Sequence, residues 1–253
     1  MDRCLLVIYG LLAYGAGLLV SLYSVAFFGN LGLAHSLDSP PRCGPVFAIS
    51  INTAWLVLFA AQHSLMARAT FKNWLARYVT RPAERSTYVL VSSLLMLALF
   101  LGWQPIGFVI WDVTETWLAL LIYGIYFLGW LVMVWSIWLM NHSEMLGMRQ
   151  VWFYFLKRPY TPIPLTEPGP YKVVRHPMYL GWLIVFWATP IMSTGHLILS
   201  VGLSVYILVA IRWEERDLAA AYGVPYHVYR QKVPMLIPFA AAWGKQRNQQ
   251  VDP

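Results

Sequence analysis

Arg175-His176-Pro177 stands at the edge of a long apolar run, and the three residue types together suggest a binding role. Proline starts a helix at no loss, because the first turn makes no use of its missing N–H. Arg175 and His176 are therefore held just before a helix N-terminus, where backbone N–H groups and the helix dipole favour an anion such as a carboxylate. Gly181, one turn on, lets another backbone or a ligand approach closely. Glu214 and Glu215 end the apolar run and return to the same surface, followed by Leu218, Tyr226, Tyr229 and Arg230. With Tyr171, Val174 and Tyr179 these form a candidate cofactor set. Arg175 and His176 suit a carboxylate, Glu214 or Glu215 suit hydroxyls, and aromatic faces suit a cationic centre or a base. S-adenosylmethionine has all of those parts.

Other polar residues gather at the ends of apolar segments: Gln62-His63-Ser64, Glu84-Arg85-Ser86-Thr87-Tyr88, Asn141-His142 and Arg149-Gln150. A lone His or Asn at a helix end commonly caps the helix or meets lipid headgroups, and Tyr and Trp there are commonly interfacial anchors. Those readings leave one fact unexplained, which is that the polar groups collect at one membrane level. The opposite level has only Asn30, His35, Asp38, Asp112 and Glu115. His63, His142 and His176 lack both a Cys partner and a ligand-like spacing, so no metal is expected.

The elements that must position these groups are membrane spans. The chain has 253 residues, of which 59% are hydrophobic and 11% charged, too apolar for a single soluble core. Apolar segments at about residues 5–28, 46–66, 88–103 and 117–140 each match the length that crosses about 30 Å of hydrocarbon. A fifth region, residues 178–213, breaks near Pro190, Ser193, Thr194 and Gly195, which reads as the tight tip of a helical hairpin. Its first half is short, so the count is five spans plus a re-entrant half, or six. The predicted fold is an all-α polytopic transmembrane bundle, with a C-terminal hairpin and an interfacial helix carrying Tyr226 and Tyr229. Residues 1–253 read as one domain, with a four-span substrate side (1–140) and a cofactor half (141–253). Cys4 and Cys43 fall at opposite ends of the first segment and should not pair.

Charge orients the bundle. With these spans, seventeen of the eighteen Lys and Arg residues share one side and only Arg42 is opposite. By the positive-inside rule both termini are cytoplasmic. The net charge of +7 is then a topology signal rather than a nucleic-acid footprint, since the basic residues are spread along span ends.

The Arg-His-Pro-Met-Tyr-Leu-Gly segment, with Glu214-Glu215 and the tyrosines after it, resembles the cofactor half of the membrane methyltransferases. These include isoprenylcysteine carboxyl methyltransferase and phospholipid N-methyltransferases. Over nearly the whole chain, Gln62 to Arg68, Glu84 to Tyr88, Asn141-His142, Arg149 to Trp152 and Arg158 to Pro162 resemble the bacterial methanethiol S-methyltransferases. The resemblance implies methyl transfer from S-adenosylmethionine to methanethiol in a bacterial inner membrane, giving dimethyl sulfide. It implies a small thiol and membrane lipid as partners, and no obligate protein partner. An alkyl thiol has a pKa no lower than about 8.5, so a base or a nearby cation would help. His63 and His142 are candidate proton acceptors, and Arg85 and Arg149 candidate supports for the thiolate. The sulfonium itself can also stabilise a thiolate, so a dedicated base is not required. Two alternatives stay open: methylation of a prenylcysteine or lipid amine, and a non-catalytic small-molecule carrier.

Overall fold

The computed structural model describes residues 2–238, so the basic Lys245 and Arg247 lie outside the described residues. Among the described residues five helices are long and apolar enough to cross a membrane: α1 (Arg3–Phe28), α2 (Pro45–Ala67), α4 (Glu84–Gly102), α5 (Thr116–Leu139) and α9 (Thr194–Tyr222). Short helices α3 (Ala69–Leu75), α6 (His142–Met145), α7 (Met148–Phe155), α8 (Pro177–Trp187) and α10 (Val224–Lys232) connect or extend them. The protein is a multi-pass membrane helical bundle. Large apolar side chains such as Leu12, Leu19 and Leu22 of α1 remain exposed. Lipid, not a core, is their solvent.

What α1 buries is a stripe at helical spacing that includes Leu6, Gly10, Ala13 and Gly17. Its small residues allow close approach: a Cβ on Gly10 would lie 3.1 Å from Val151, and one on Gly17 3.1 Å from Val89. Lipid tails are as apolar as side chains, so this close packing is what favours helix on helix over helix on lipid. Where α5 crosses α8, Gly181 presses on Gly129, and a Cβ on Gly181 would meet the Gly129 carbonyl at 2.7 Å. Aromatic rings fill the centre. Phe27 and Phe100 are 4.5 Å apart, and Phe28 meets Phe186 edge-on at 5.5 Å.

One expectation needs correction. The break after α8 is not a tight turn, because Thr194 and Gly195 already belong to α9 and Ser193 caps it, accepting from the His196 N–H. At 11 residues α8 rises only about 16 Å, about half the bilayer. The chain continues extended through residues 188–193. The all-α bundle also carries one two-stranded ladder among the described residues. Strand β2 (Ile191–Ser193) pairs antiparallel with β1 (Val109–Asp112), a strand in the α4–α5 connection. Extended backbone near hydrocarbon must have its polar groups satisfied internally. The ladder does this, together with Val113 N–H to the Pro190 carbonyl at 2.9 Å and Thr194 N–H to the Phe108 carbonyl at 2.7 Å.

At that same end Asp38 accepts from Asn30 at 2.6 Å, from Ser193, and from His196 Nδ1 at 2.8 Å. Those hydrogen bonds hold the Asp38 carboxyl below its ordinary range although burial opposes them. His196, not singled out in the sequence, is fully buried and locks the start of α9 to the first loop. Cys4 and Cys43 are both free.

Candidate active site

At the end of the bundle where α8 begins and α9 finishes, the structure encloses a cavity of about 370 Å3. Its size lies in the range of roughly 300–1,000 Å3 typical of small-molecule sites. Tyr171, Arg175, His176, Met178 and Tyr179 form one wall, around the start of α8. Glu214, Leu218 and Tyr222 of α9, with Tyr226 and Tyr229 of α10, form a second. A proline-rich strap, residues 160–166, and Met140, Glu144 and Met145 complete it. Gly223 sits between α9 and α10 at φ +60°, a left-handed conformation that suits glycine and turns α10 back onto the cavity.

Of the expected cofactor residues, Val174 and Glu215 stand off the cavity and the other eight line it. Val174 is buried behind the wall. Consecutive residues on a helix point about 100° apart, so Glu214 and Glu215 serve different surroundings. The Glu215 carboxylate accepts from Arg175 Nε at 2.7 Å and faces His176 Nε2 at 3.1 Å and Arg230 Nε at 3.4 Å. Arg175 also donates through Nη1 to the carbonyls of Arg230 (3.0 Å) and Val233 (2.6 Å). Its backbone N–H and that of His176 reach the carbonyls of Pro234 and Met235 at 2.8 and 3.2 Å. Arg175 is thus largely committed to fastening residues 230–235, where the sequence suggested an open anion site.

Glu214 differs. Its Oε2 and the Tyr226 hydroxyl are buried yet have no hydrogen-bond partner among the described residues. Both residues line the cavity, and buried polar atoms without partners mark where a ligand would supply them. Burial pushes the phenols of Tyr171 and Tyr229 up, and that of Tyr226 up to about 12, aided by the charge of Glu215. They are neutral hydroxyls at physiological pH.

The strap is held by Glu144, a wall residue that sequence reasoning missed. Its carboxylate accepts from Arg149 Nη1 at 2.9 Å, Gln150 Nε2 at 2.7 Å and the Tyr160 hydroxyl. Asn141, left-handed at φ 69°, caps α6 and accepts from the Glu144 N–H. The spacing of Asn141, Glu144 and Arg149 was the only sequence signal for this hub. Arg149 does not line the cavity and acts one step behind it. Tyr222 donates to the Ile163 carbonyl at 3.3 Å, a second tie on the strap.

The remaining candidates separate. His142 lies outside the cavity lining, with its ring 4.4 Å from that of Trp138. His63 sits on α2, its Nε2 2.6 Å from the hydroxyl of Tyr88 on α4. Arg85 lies 5.0 Å over the Tyr88 ring and donates through Nε to the carbonyl of Met145, a cavity residue, at 2.8 Å. Gly147 makes that approach possible: at φ +84° its Cβ would lie 2.6 Å from the Ser86 nitrogen. His63, His142 and His176 do not meet. Among the described residues no group of three His, Cys, Asp or Glu side chains is placed to hold a metal ion.

Comparison with known proteins places this geometry. Residues 120–224 match the family model described as phospholipid methyltransferase, which includes the start of α8, Glu214 and Glu215. Methanethiol S-methyltransferase of Crocosphaera subtropica is 45% identical over 94% of each chain. The chain belongs to the methanethiol S-methyltransferase family. A second member of that family, from Mycobacterium tuberculosis, is 40% identical over 94% of this methyltransferase and 98% of its own length. Methanethiol S-methyltransferase 2 of Bradyrhizobium diazoefficiens is 42% identical over 93% of this chain and 91% of the relative. No solved structure matches this membrane methyltransferase.

Proposed function

We propose that the protein methylates a small thiol, methanethiol foremost, with S-adenosylmethionine as donor, at the cytoplasmic face of a bacterial inner membrane. The product is dimethyl sulfide. The observation that carries this reading is the Glu214 carboxylate oxygen, buried on the wall of a tyrosine-rich cavity with no hydrogen-bond partner among the described residues and the His176 ring 3.9 Å away. A carboxylate among phenols suits a ligand with hydroxyls and a cationic centre. The orphaned oxygen of Glu214 and the hydroxyl of Tyr226 fit the polar groups of S-adenosylmethionine. When bound, that group supplies an electrophilic methyl on a sulfonium.

In-line displacement needs positioning more than covalent help, so the chain's task is to align acceptor and donor and exclude water. Tyr171, Tyr179, Tyr226 and Tyr229 supply the cavity faces, Glu214 the charge, and the strap the cover. The basic end of the bundle, read as cytoplasmic from its charge, is where a soluble donor arrives. Names of the methanethiol S-methyltransferase relatives support the acceptor, and the exposed apolar helices allow it to enter from lipid.

The test uses purified full-length protein in detergent. Calorimetry with S-adenosylmethionine should show binding that Glu214→Gln weakens about 10- to 100-fold, the loss expected for a hydrogen bond to a charged group. Headspace analysis should show dimethyl sulfide from methanethiol, with no labelled methyl passing to prenylcysteine or lipid amines. Absence of cofactor binding, or methyl transfer confined to those larger acceptors, would overturn the reading.

A further inference from the structure

The cavity accounts for the donor and leaves open which group removes the acceptor's proton. We infer that Tyr88 is the catalytic residue that takes the thiol proton and relays it to His63, an inference that rests on the thiol methylation proposed above. Tyr88 and His63 stand on different spans, and their hydroxyl–Nε2 contact of 2.6 Å is among the shorter polar contacts at this end. On its other side the His63 ring meets Ser92 Oγ at 3.3 Å, and Ser92 pairs in turn with Gln62. The relay uses the Nδ1–H tautomer of His63, in which Ser92 accepts from Nδ1 and donates to Gln62 Oε1 at 3.5 Å, leaving the Nε2 lone pair for the Tyr88 hydroxyl. Phe59 stacks on the ring at 5.3 Å and fixes its plane.

A polar pair at this membrane level is costly unless it has a task, and its surroundings point to the cavity. Tyr88 stands one residue behind the cavity lining, and Arg85 links it to the wall at Met145. The Arg85 guanidinium over the Tyr88 ring favours negative charge developing on the phenol oxygen, and the same side chain is anchored to the wall at Met145. Arg149 is committed to Glu144, which holds the strap, and His142 lies outside the cavity lining.

The step balances without a further reactant. The thiol S–H bond breaks and its proton passes to the Tyr88 oxygen as the Tyr88 proton passes to His63 Nε2. The thiol sulfur forms a bond to the methyl carbon, and the electron pair of the broken carbon–sulfonium bond leaves with the donor sulfur. His63 then holds the proton as imidazolium until the methyl has transferred.

The test compares ethanethiol with trifluoroethanethiol, nearly the same size but much more acidic, in wild type, Tyr88→Phe and His63→Gln. Calorimetry with S-adenosylmethionine should give unchanged affinity in both variants, which separates this inference from the cofactor reading. Turnover of ethanethiol should fall about 100-fold or more, the contribution expected of a positioned base. Turnover of trifluoroethanethiol relative to wild type should fall at least tenfold less, because that thiol ionises without help. Equal losses for both thiols, or wild-type turnover in either variant, would overturn the relay. Cofactor affinity lost together with all turnover in both variants would also overturn it, by making the pair a structural brace.

Discussion

Two adjacent glutamates illustrate how little residue type says about role. Glu214 faces a cavity with one oxygen unpartnered, while Glu215 is buried among Arg175, His176 and Arg230. Removing the Glu215 charge leaves the Arg175 guanidinium buried without its anion, a change that costs about 3–5 kcal/mol. Glu215→Gln should therefore lower the thermal midpoint of the detergent-solubilised protein clearly, and expose residues 230–235 to proteolysis. Glu214→Gln should shift the midpoint far less, since its one ionic contact, to the His176 ring, is long at 3.9 Å, and act on cofactor affinity instead. Equal midpoints for the two variants would contradict the division. The pair of carboxylates was legible in the sequence as one motif. Their separation follows from the 100° between neighbouring helical positions and was settled only by how α9 is rotated.

At the scale of elements, the strap over the cavity has few ties: Tyr160 to Glu144, Tyr222 to the Ile163 carbonyl, and Arg149 Nη2 to Thr161 at 3.4 Å. Burial, then the hydrogen bond and charge of Glu144, push the Tyr160 phenol up to about 12. A raised phenol favours the folded strap below its ordinary value, and that preference is lost as pH rises through the raised value. Cofactor affinity in wild type should thus stay flat from about pH 8 to about pH 10, where a free tyrosine would begin to ionise. Tyr160→Phe should weaken it several-fold at neutral pH and speed trypsin cleavage after Lys157, an exposed residue just before the strap. An affinity in wild type that falls below about pH 10, with no faster cleavage in the variant, would show that this bond does not hold the strap. The strap carries no helical or strand periodicity, and its proline content alone announced a connection. Its place over the cavity depends on Glu144, whose signal in sequence was a cap and a spacing.

For the whole molecule, the charge pattern and the bundle agree that one end is basic. The native cysteines can report its side. Cys4 lies in the first turn of α1 at the basic end, and Cys43 just before α2 at the other. In intact cells a membrane-impermeant maleimide should label Cys43 and spare Cys4, with the reverse in inverted vesicles. Labelling of Cys4 in intact cells would invert the topology. The sequence by itself determined the five long spans, the helix that starts at Pro177, the basic end and eight of the cavity's nineteen lining residues. Span length and apolar periodicity are local properties, and a span's ends fix which side its flanking residues occupy. The tertiary structure alone decided the rest. The segment leading into α9 is a short helix followed by a short strand, because only β1 of a distant connection can satisfy that strand's backbone. Likewise Tyr88 meets His63, and Glu144 meets Tyr160, because α2, α4 and the strap converge there. Such contacts depend on helix rotation and close packing at glycines, which no single segment encodes.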